Sequence, residues 1–321
     1  MKTTYTSVLI LFLIFTFPKS ALASKKRIGF YMSDSICETS MTFRSINHLV
    51  ILSVTINNDI HVNLVMDTGC RNLVLFGKKF QNRFTYEPSR DVQFSGLGNG
   101  KAIHGKLSLG NKISVGAIQG EGIPVVVVPS KNLFQYVDDV DGVIGYDLFL
   151  RFEVEINSMT HRISFRPALL TNMPEGYTKI PMRIDDSRPI LSSSILLNSN
   201  NHVCDLMIDT GSSLALLLKT TDIEKFKMLH RAQPVGRGLN GVVEGYDVTV
   251  DRLMIPGYEM NSLRASIIES SWHNYASIGM EILKDYAVII NYCKEYIGLK
   301  KLDESLPGKE LSSVSLAKLQ K

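Results

Sequence analysis

The chain has 321 residues, enough for about two packing units at roughly 150 residues each, so a large core is available. With 45% hydrophobic and 21% charged residues, 23 Gly and only 11 Pro, the disordered, collagen-like and disulfide-scaffold classes are set aside. The 35 Lys and Arg against 31 Asp and Glu leave a formal charge of +4, too small and too evenly spread for an electrostatic footprint on nucleic acid, so no nucleic-acid partner is expected.

Residues 1–23 read as a signal peptide: Lys2 precedes an apolar run from Val8 to Phe17, followed by Pro18 and the small-residue pattern Ala21-Leu22-Ala23. The run is too short to cross a bilayer core of about 30 Å comfortably, and no later stretch approaches the roughly 18 apolar residues of a span. The mature chain is therefore expected to start at Ser24 and to be exported, periplasmic or secreted; the alternative is an uncleaved N-terminal anchor that tethers the same body. Residues 24–44 form an N-terminal segment, either an activation segment or an ordinary first strand. Export makes Cys37, Cys70, Cys204 and Cys293 candidates for disulfides, and a Cys204–Cys293 bridge is conceivable, although the sequence does not choose a pairing. No Cys-x-x-Cys and no His-Glu-x-x-His occurs, so no metal or other cofactor is expected.

Beyond the leader, one unit is written twice. Val65-Met66-Asp67-Thr68-Gly69-Cys70 recurs as Met207-Ile208-Asp209-Thr210-Gly211-Ser212, and each copy follows a strand, a turn and a second strand. After the motif come two apolar runs fit for buried strands, Leu73 to Phe76 and Leu214 to Leu218. A Gly-rich stretch follows in each copy: Gly96-Leu97-Gly98-Asn99-Gly100 in the first, Gly238-Leu239-Asn240-Gly241 in the second. Both read as hairpin tips. A phosphate loop does not fit, because Gly-x-Gly-x-x-Gly spacing is absent and Ala102 follows Lys101 where a Walker motif needs Ser or Thr. The third match, ungapped, sets Ile144-Gly145 to Phe165 against Ile278-Gly279 to Leu299, each an apolar strand ending at Gly, a helical turn and two short strands. The lobes are placed at residues 45–166 and 180–301, with a linker at 167–179 and a polar tail at 302–321.

A single Asp-Thr-Gly is most often a turn at a strand end, but two in phase with matched hairpins and matched apolar-apolar-Gly elements are not explained by turns. This order resembles the retropepsin and pepsin superfamily of aspartic peptidases over most of the mature chain. With two Gly-rich hairpins and units of about 120 residues it looks more like two fused retroviral-type protomers than a pepsin. The resemblance implies a mostly β fold of two retropepsin-like β-barrel lobes related by a pseudo-twofold axis, active as a monomer. Metal-free peptide hydrolysis needs one group to take a proton from water and another to give one to the carbonyl oxygen. Two carboxyls that share one proton do both. Asp67 and Asp209 are thus the expected catalytic pair, Gly69 and Gly211 let their loops approach, and the resemblance implies that the Thr68 and Thr210 hydroxyls bond across the axis. Ser212 is expected to support Asp209 by a hydrogen bond. The hairpin tips are expected to be flaps closing over an extended polypeptide substrate with apolar residues flanking the scissile bond.

The sequence departs from the family pattern at Cys70, where Ser or Ala is usual, which weakens or removes a hydrogen bond to Asp67. Arg71 follows, placed to contact substrate or an acidic neighbour. No Tyr stands at a pepsin-like flap position, Tyr86 and Tyr246 reading as packing or surface residues, and Trp272 reads as a core or rim residue. The expected activity is that of an aspartic endopeptidase. The alternative is a catalytically impaired retropepsin-like peptide-binding protein.

Overall fold

A computed structural model describes residues 27–87, 91–94, 96–129, 133, 134, 137, 139–221, 223, 231–270 and 275–303. Residues 1–23, read above as a signal peptide, Trp272 and all but the first two residues of 302–321 lie outside these described residues. The first half of the chain forms β1 (Gly29–Tyr31), β2 (Thr39–Thr42), β3 (Arg44–Ile46), β4 (Leu49–Ile56), β5 (Ile60–Met66), β6 (Leu73–Phe76), β7 (Asp91–Phe94), β8 (Ile103–Val115), β9 (Ile118–Val128), β10 (Gly142–Ile144), β11 (Phe152–Asn157) and β12 (Arg162–Pro167). The second half repeats the order from β2 onwards: β13 (Thr178–Pro181), β14 (Arg183–Asp185), β15 (Arg188–Leu197), β16 (Asn200–Ile208), β17 (Leu216–Thr220), β18 (Gln233–Gly238), β19 (Gly241–Ile255), β20 (Tyr258–Glu269), β21 (Ala276–Ile278), β22 (Tyr286–Asn291) and β23 (Tyr296–Lys301).

The protein is mostly β, with two similar sheet-rich lobes. The first lobe runs β9-β6-β10-β5-β4-β8-β7 and the second β20-β17-β21-β16-β15-β19-β18. In each, the long hairpin strand also pairs back across the sheet, β8 with β9 and β19 with β20. Local chemistry fixes these strands. The two-residue loops Asn47-His48, Asp186-Ser187 and Asn198-Ser199 hold both residues at positive φ, the type I′ geometry that matches strand twist and that Asn and Asp tolerate best. Each opens onto strands of predominantly apolar residues whose inward faces are buried.

A third sheet joins the lobes. Its six strands run β13-β23-β22-β11-β12-β2, a palindrome of the two repeats. Val154 pairs with Ile290, Glu155 with Ile289 and Ile156 with Val288, so the pseudo-twofold axis passes through the Glu155–Ile289 pair. Apolar side chains of both lobes merge into one cluster, from Leu52, Leu64 and Phe165 to Leu191, Ile208 and Ile297. Beside the axis Glu153 is wholly buried. It accepts from Arg166 at 3.1 Å, from Asn291 at 2.9 Å and from the Tyr296 hydroxyl, which pairs a buried charge and ties the halves together.

Several sequence boundaries shift. Residues 24–44 contain β1, which pairs with β9, and β2, an edge of the shared sheet, while β13 begins inside the stretch read as linker. The run after the second Asp-Thr-Gly is one residue longer than its partner: Val74 faces Val143, whereas Leu217 faces Ser277. All four cysteines are free, so the conceivable Cys204–Cys293 bridge is not formed. Cys293 donates to the Leu150 carbonyl at 3.1 Å and Cys204 contacts the Ser193 hydroxyl at 3.3 Å.

Candidate active site

Each Asp-Thr-Gly leaves the end of a strand held in parallel by an apolar strand from later in the same lobe. β5 pairs with β10, and Asp67 N–H donates to the Ile144 carbonyl at 2.9 Å. β16 pairs with β21, and Asp209 N–H donates to the Ile278 carbonyl at 2.9 Å. The two loops then grip each other. Thr68 N–H donates to Thr210 Oγ1 at 3.0 Å and Thr210 N–H to Thr68 Oγ1 at 3.1 Å. The hydroxyls donate onward, Thr68 to the Ile208 carbonyl at 2.6 Å and Thr210 to the Met66 carbonyl at 2.8 Å. Both threonines are buried, so their four bonds form away from water.

The carboxylates are oriented from below. Gly69 N–H donates to Asp67 Oδ1 at 2.6 Å and Gly211 N–H to Asp209 Oδ1 at 3.1 Å. Glycine is required at 211 by close approach: a Cβ there would lie 2.4 Å from the Asp67 carboxyl carbon. This contact also brings the Asp67 carboxylate onto the Asp209 loop. Burial, and then the negative charge of Asp67, push the Asp209 carboxyl up to about 7. Burial raises Asp67 as well, opposed by the Gly69 N–H and by the positive charge of Arg188.

The residues after each motif differ from expectation. Ser212 does not turn its hydroxyl to Asp209; Oγ accepts from Leu214 N–H at 3.3 Å, a bond local to its own turn. Cys70 Sγ likewise turns away, donating to the Asn72 carbonyl at 2.9 Å, and burial pushes its thiol well above the usual range. Arg71 takes an acidic neighbour, pairing with Asp186 of the second lobe and donating to Ser187 Oγ at 3.2 Å. Tyr86 packs on the core with its hydroxyl on the Phe80 carbonyl, and Tyr246 is buried.

The Gly-rich tips lie against each other. Asn240 N–H donates to the Leu97 carbonyl at 2.9 Å, Gly100 N–H to the Asn240 carbonyl at 2.8 Å and Asn99 N–H to the Val242 carbonyl at 3.3 Å. Leu97 crosses to the second-lobe cluster of Leu214, Leu217, Val243 and Ile268. Leu239 crosses the other way, to the first-lobe cluster that contains Cys70, Val74 and Phe76. Because Cys70 immediately follows the first Asp-Thr-Gly and Leu214 lies three residues beyond the second, the tips and the Asp loops share their apolar walls. Gly96, Gly98, Gly100 and Gly238 all sit where a Cβ would strike the opposing tip, at 2.7, 2.7, 2.0 and 2.3 Å, whereas Gly241 adopts φ 120. Asn240 Oδ1 is buried with no hydrogen-bond partner among the described residues, an acceptor left over beneath the tip.

Four residues went unnoticed in the sequence. The buried Tyr292 donates to the Thr68 carbonyl at 3.1 Å and stacks on Phe149 at 5.2 Å, carrying the second repeat under the first-lobe loop. Arg188 lowers the carboxyl pKa of both aspartates by its charge, Tyr275 packs with Ile190 and Met207, and Lys219 Nζ stands 5.4 Å over the Tyr275 ring. The only available signal was positional, since Arg188 and Lys219 are charges in stretches whose first-repeat counterparts are apolar.

Comparison with known families agrees with this architecture. The aspartyl protease family profile matches residues 52–148 and again residues 195–282, once per lobe, with one Asp-Thr-Gly in each match. The chain therefore belongs to the aspartyl protease family. No curated protein sequence matches it.

Proposed function

We propose that the chain is an exported aspartic endopeptidase in which Asp67 and Asp209 activate one water for attack on a peptide bond. The observation that carries this reading is the crossed Thr68–Thr210 grip, which holds two half-buried carboxyls on abutting loops, each with a glycine N–H on one oxygen. In such a pair one carboxylate takes the proton of water while the protonated partner hydrogen-bonds the scissile carbonyl. The tetrahedral oxyanion is then held by the same hydrogen bonds. Both carboxyls are raised by burial and titrate as one pair, so a single proton is shared between Asp67 and Asp209. Gly96 to Gly100 and Gly238 to Gly241 act as paired flaps that open to admit an extended polypeptide and close on its backbone, and one chain supplies both halves of the site.

Export rests on the leader pattern, and fractionation with N-terminal sequencing of the mature protein tests it. The chain from Ser24 onwards should cleave peptides in a pepstatin-sensitive manner. Asp67→Asn and Asp209→Asn should each lower kcat by several orders of magnitude, and the double variant little further, since the two groups act as a unit. A folded Asp209→Asn variant that cleaves at the wild-type rate would overturn the reading. Peptide binding without cleavage by the unaltered chain would favour the non-cutting binder instead.

A further inference from the structure

The two lobes are alike in backbone but not in what they present beside the aspartates. On the first lobe Ile51 pairs with Val65, so Leu49, two residues earlier, stands level with Asp67. On the second Ile190 pairs with Met207, so the residue level with Asp209 is Arg188. The next position differs in the same sense. Val74 pairs with Val143 and Leu217 with Ser277, so two residues farther along their strands Phe76 and Lys219 correspond. Leu217 faces the cluster that receives the Leu97 flap tip, and strand alternation puts Lys219 on that same face. Phe76 is buried among Val65, Val128 and Val143 with Phe134 edge-on at 6.0 Å, an apolar wall throughout. Its counterpart is a cation over an aromatic ring.

We propose that the second-lobe half of the cleft is a cationic subsite, built by Arg188 and Lys219 around Tyr275, that takes an acidic side chain of the substrate while the first-lobe half takes an apolar one. The inference rests on the peptidase reading and gives it a substrate class. The charges around the site balance in number, so the preference rests on where the cations sit beside the aspartates and not on a surplus of positive charge. Arg188 and Arg71 share Asp186, the former at 2.7 Å, so two guanidiniums divide one carboxylate. Asp185 on the same hairpin is exposed, and the dyad contributes one negative charge when singly protonated. Lys219 has no carboxylate within ion-pairing distance among the described residues, although it is half-buried, and burial lowers its pKa. A partly desolvated cation held by an aromatic face and by the charge of Asp209 gains an ion pair from a substrate carboxylate, which is then bound selectively. The Arg188 side chain is only 13% exposed, so its orientation is held by packing and by Asp186 before substrate arrives.

The test is an unbiased peptide library digested by the chain from Ser24 onwards, with cleavage sites read by mass spectrometry. It is followed by kinetics on a matched pair of peptides differing by Glu or Gln at the enriched position. Enrichment of Asp or Glu within about three residues of the scissile bond, on one side only, is expected. The Glu-over-Gln ratio of kcat/KM should fall at least tenfold in Arg188→Leu, which copies Leu49, and severalfold in Lys219→Met, with Arg188→Lys restoring part of it. C-terminally amidated peptides distinguish an acidic side chain from a terminal carboxylate. Cleavage without charge preference, or ratios unmoved in both variants, would overturn the subsite and leave the peptidase reading standing. Binding of the same pair to the Asp67→Asn chain separates the two claims further. If nothing is cleaved but the Glu peptide still binds about tenfold tighter through Arg188, the subsite survives and the peptidase reading falls.

Discussion

At the scale of single residues, the environment of Asp209 has a consequence for both rate and stability. Its carboxyl titrates near about 7 because burial and Asp67 both oppose its charge, so cleavage should decline as pH rises through that region and the singly protonated dyad is lost. A carboxyl with a raised pKa in the folded state binds its proton more tightly there than in the unfolded chain. The corresponding stability is fully present in acid, below the unfolded value, and is lost as pH rises through the folded value of about 7. Asp209→Asn should therefore be inactive yet melt higher than the wild type at mildly alkaline pH, with the difference shrinking in acid. A melting difference independent of pH would show that the charge carries no penalty there. The threonine grip predicts the opposite sign. Thr210→Val would strand the Met66 carbonyl and the Thr68 N–H in a buried loop, at about 1–3 kcal/mol for each orphaned group, measurable by urea unfolding. Cys70 gives a third check. With its thiol pushed up by burial and then by Asp67, iodoacetamide should label the exposed Cys37 and Cys293 first and Cys70 last, as peptide mapping would show.

Elements explain why some of this was legible in the sequence and some was not. The repeated apolar-apolar-Gly could be read because its glycine is forced. A Cβ at Gly145 would lie 1.8 Å from the Asp67 carbonyl oxygen, and one at Gly279 would lie 2.2 Å from that of Leu214, so no other residue closes the loop against its strand. The hairpin tips were equally readable, since backbone meets backbone there. Gly100→Val should keep the tips apart and raise KM or lower kcat with little change in Tm, because the tip lies outside the main core. Unaltered kinetics would remove the flap role. What stayed hidden were features set by long-range pairing. β2 and β13 are short strands whose partners are far away in sequence, and nothing local marks them as edges of a shared sheet. The extra residue after Asp209 shifts Lys219 to the place of Phe76, and only the strand register reveals it. Ser212 was expected to bond Asp209, and its hydroxyl is taken instead by the N–H of Leu214 two residues on, a local competition that the tripeptide does not reveal.

For the whole molecule the decisive feature is that neither lobe owns its base. The six-stranded sheet is half from each repeat, and the central apolar cluster draws on both. A fragment of residues 24–170 would keep β2, β12 and β11 but leave the β11 edge, from Val154 to Asn157, without β22. Glu153 would lose Asn291 and Tyr296, and Glu155 would lose the Tyr177 hydroxyl, so a buried charge would keep only Arg166. An open strand edge over an unfinished core is a template for pairing with a second copy, and the pseudo-twofold geometry shows what that copy would look like. Two β11 strands would meet at Glu155, where the intact chain has Glu155 opposite Ile289. Like charges directly opposite in a sheet repel, and each Glu155 keeps Arg166 of its own repeat beside it, so the pairing of two β11 strands is weakened but not forbidden. Sedimentation equilibrium should show a dimer that Glu155→Ile, which writes the second repeat's residue into the first, strengthens. A stable, well-folded monomer of the fragment would mean that each lobe completes its own core, contrary to the shared sheet and merged cluster described above.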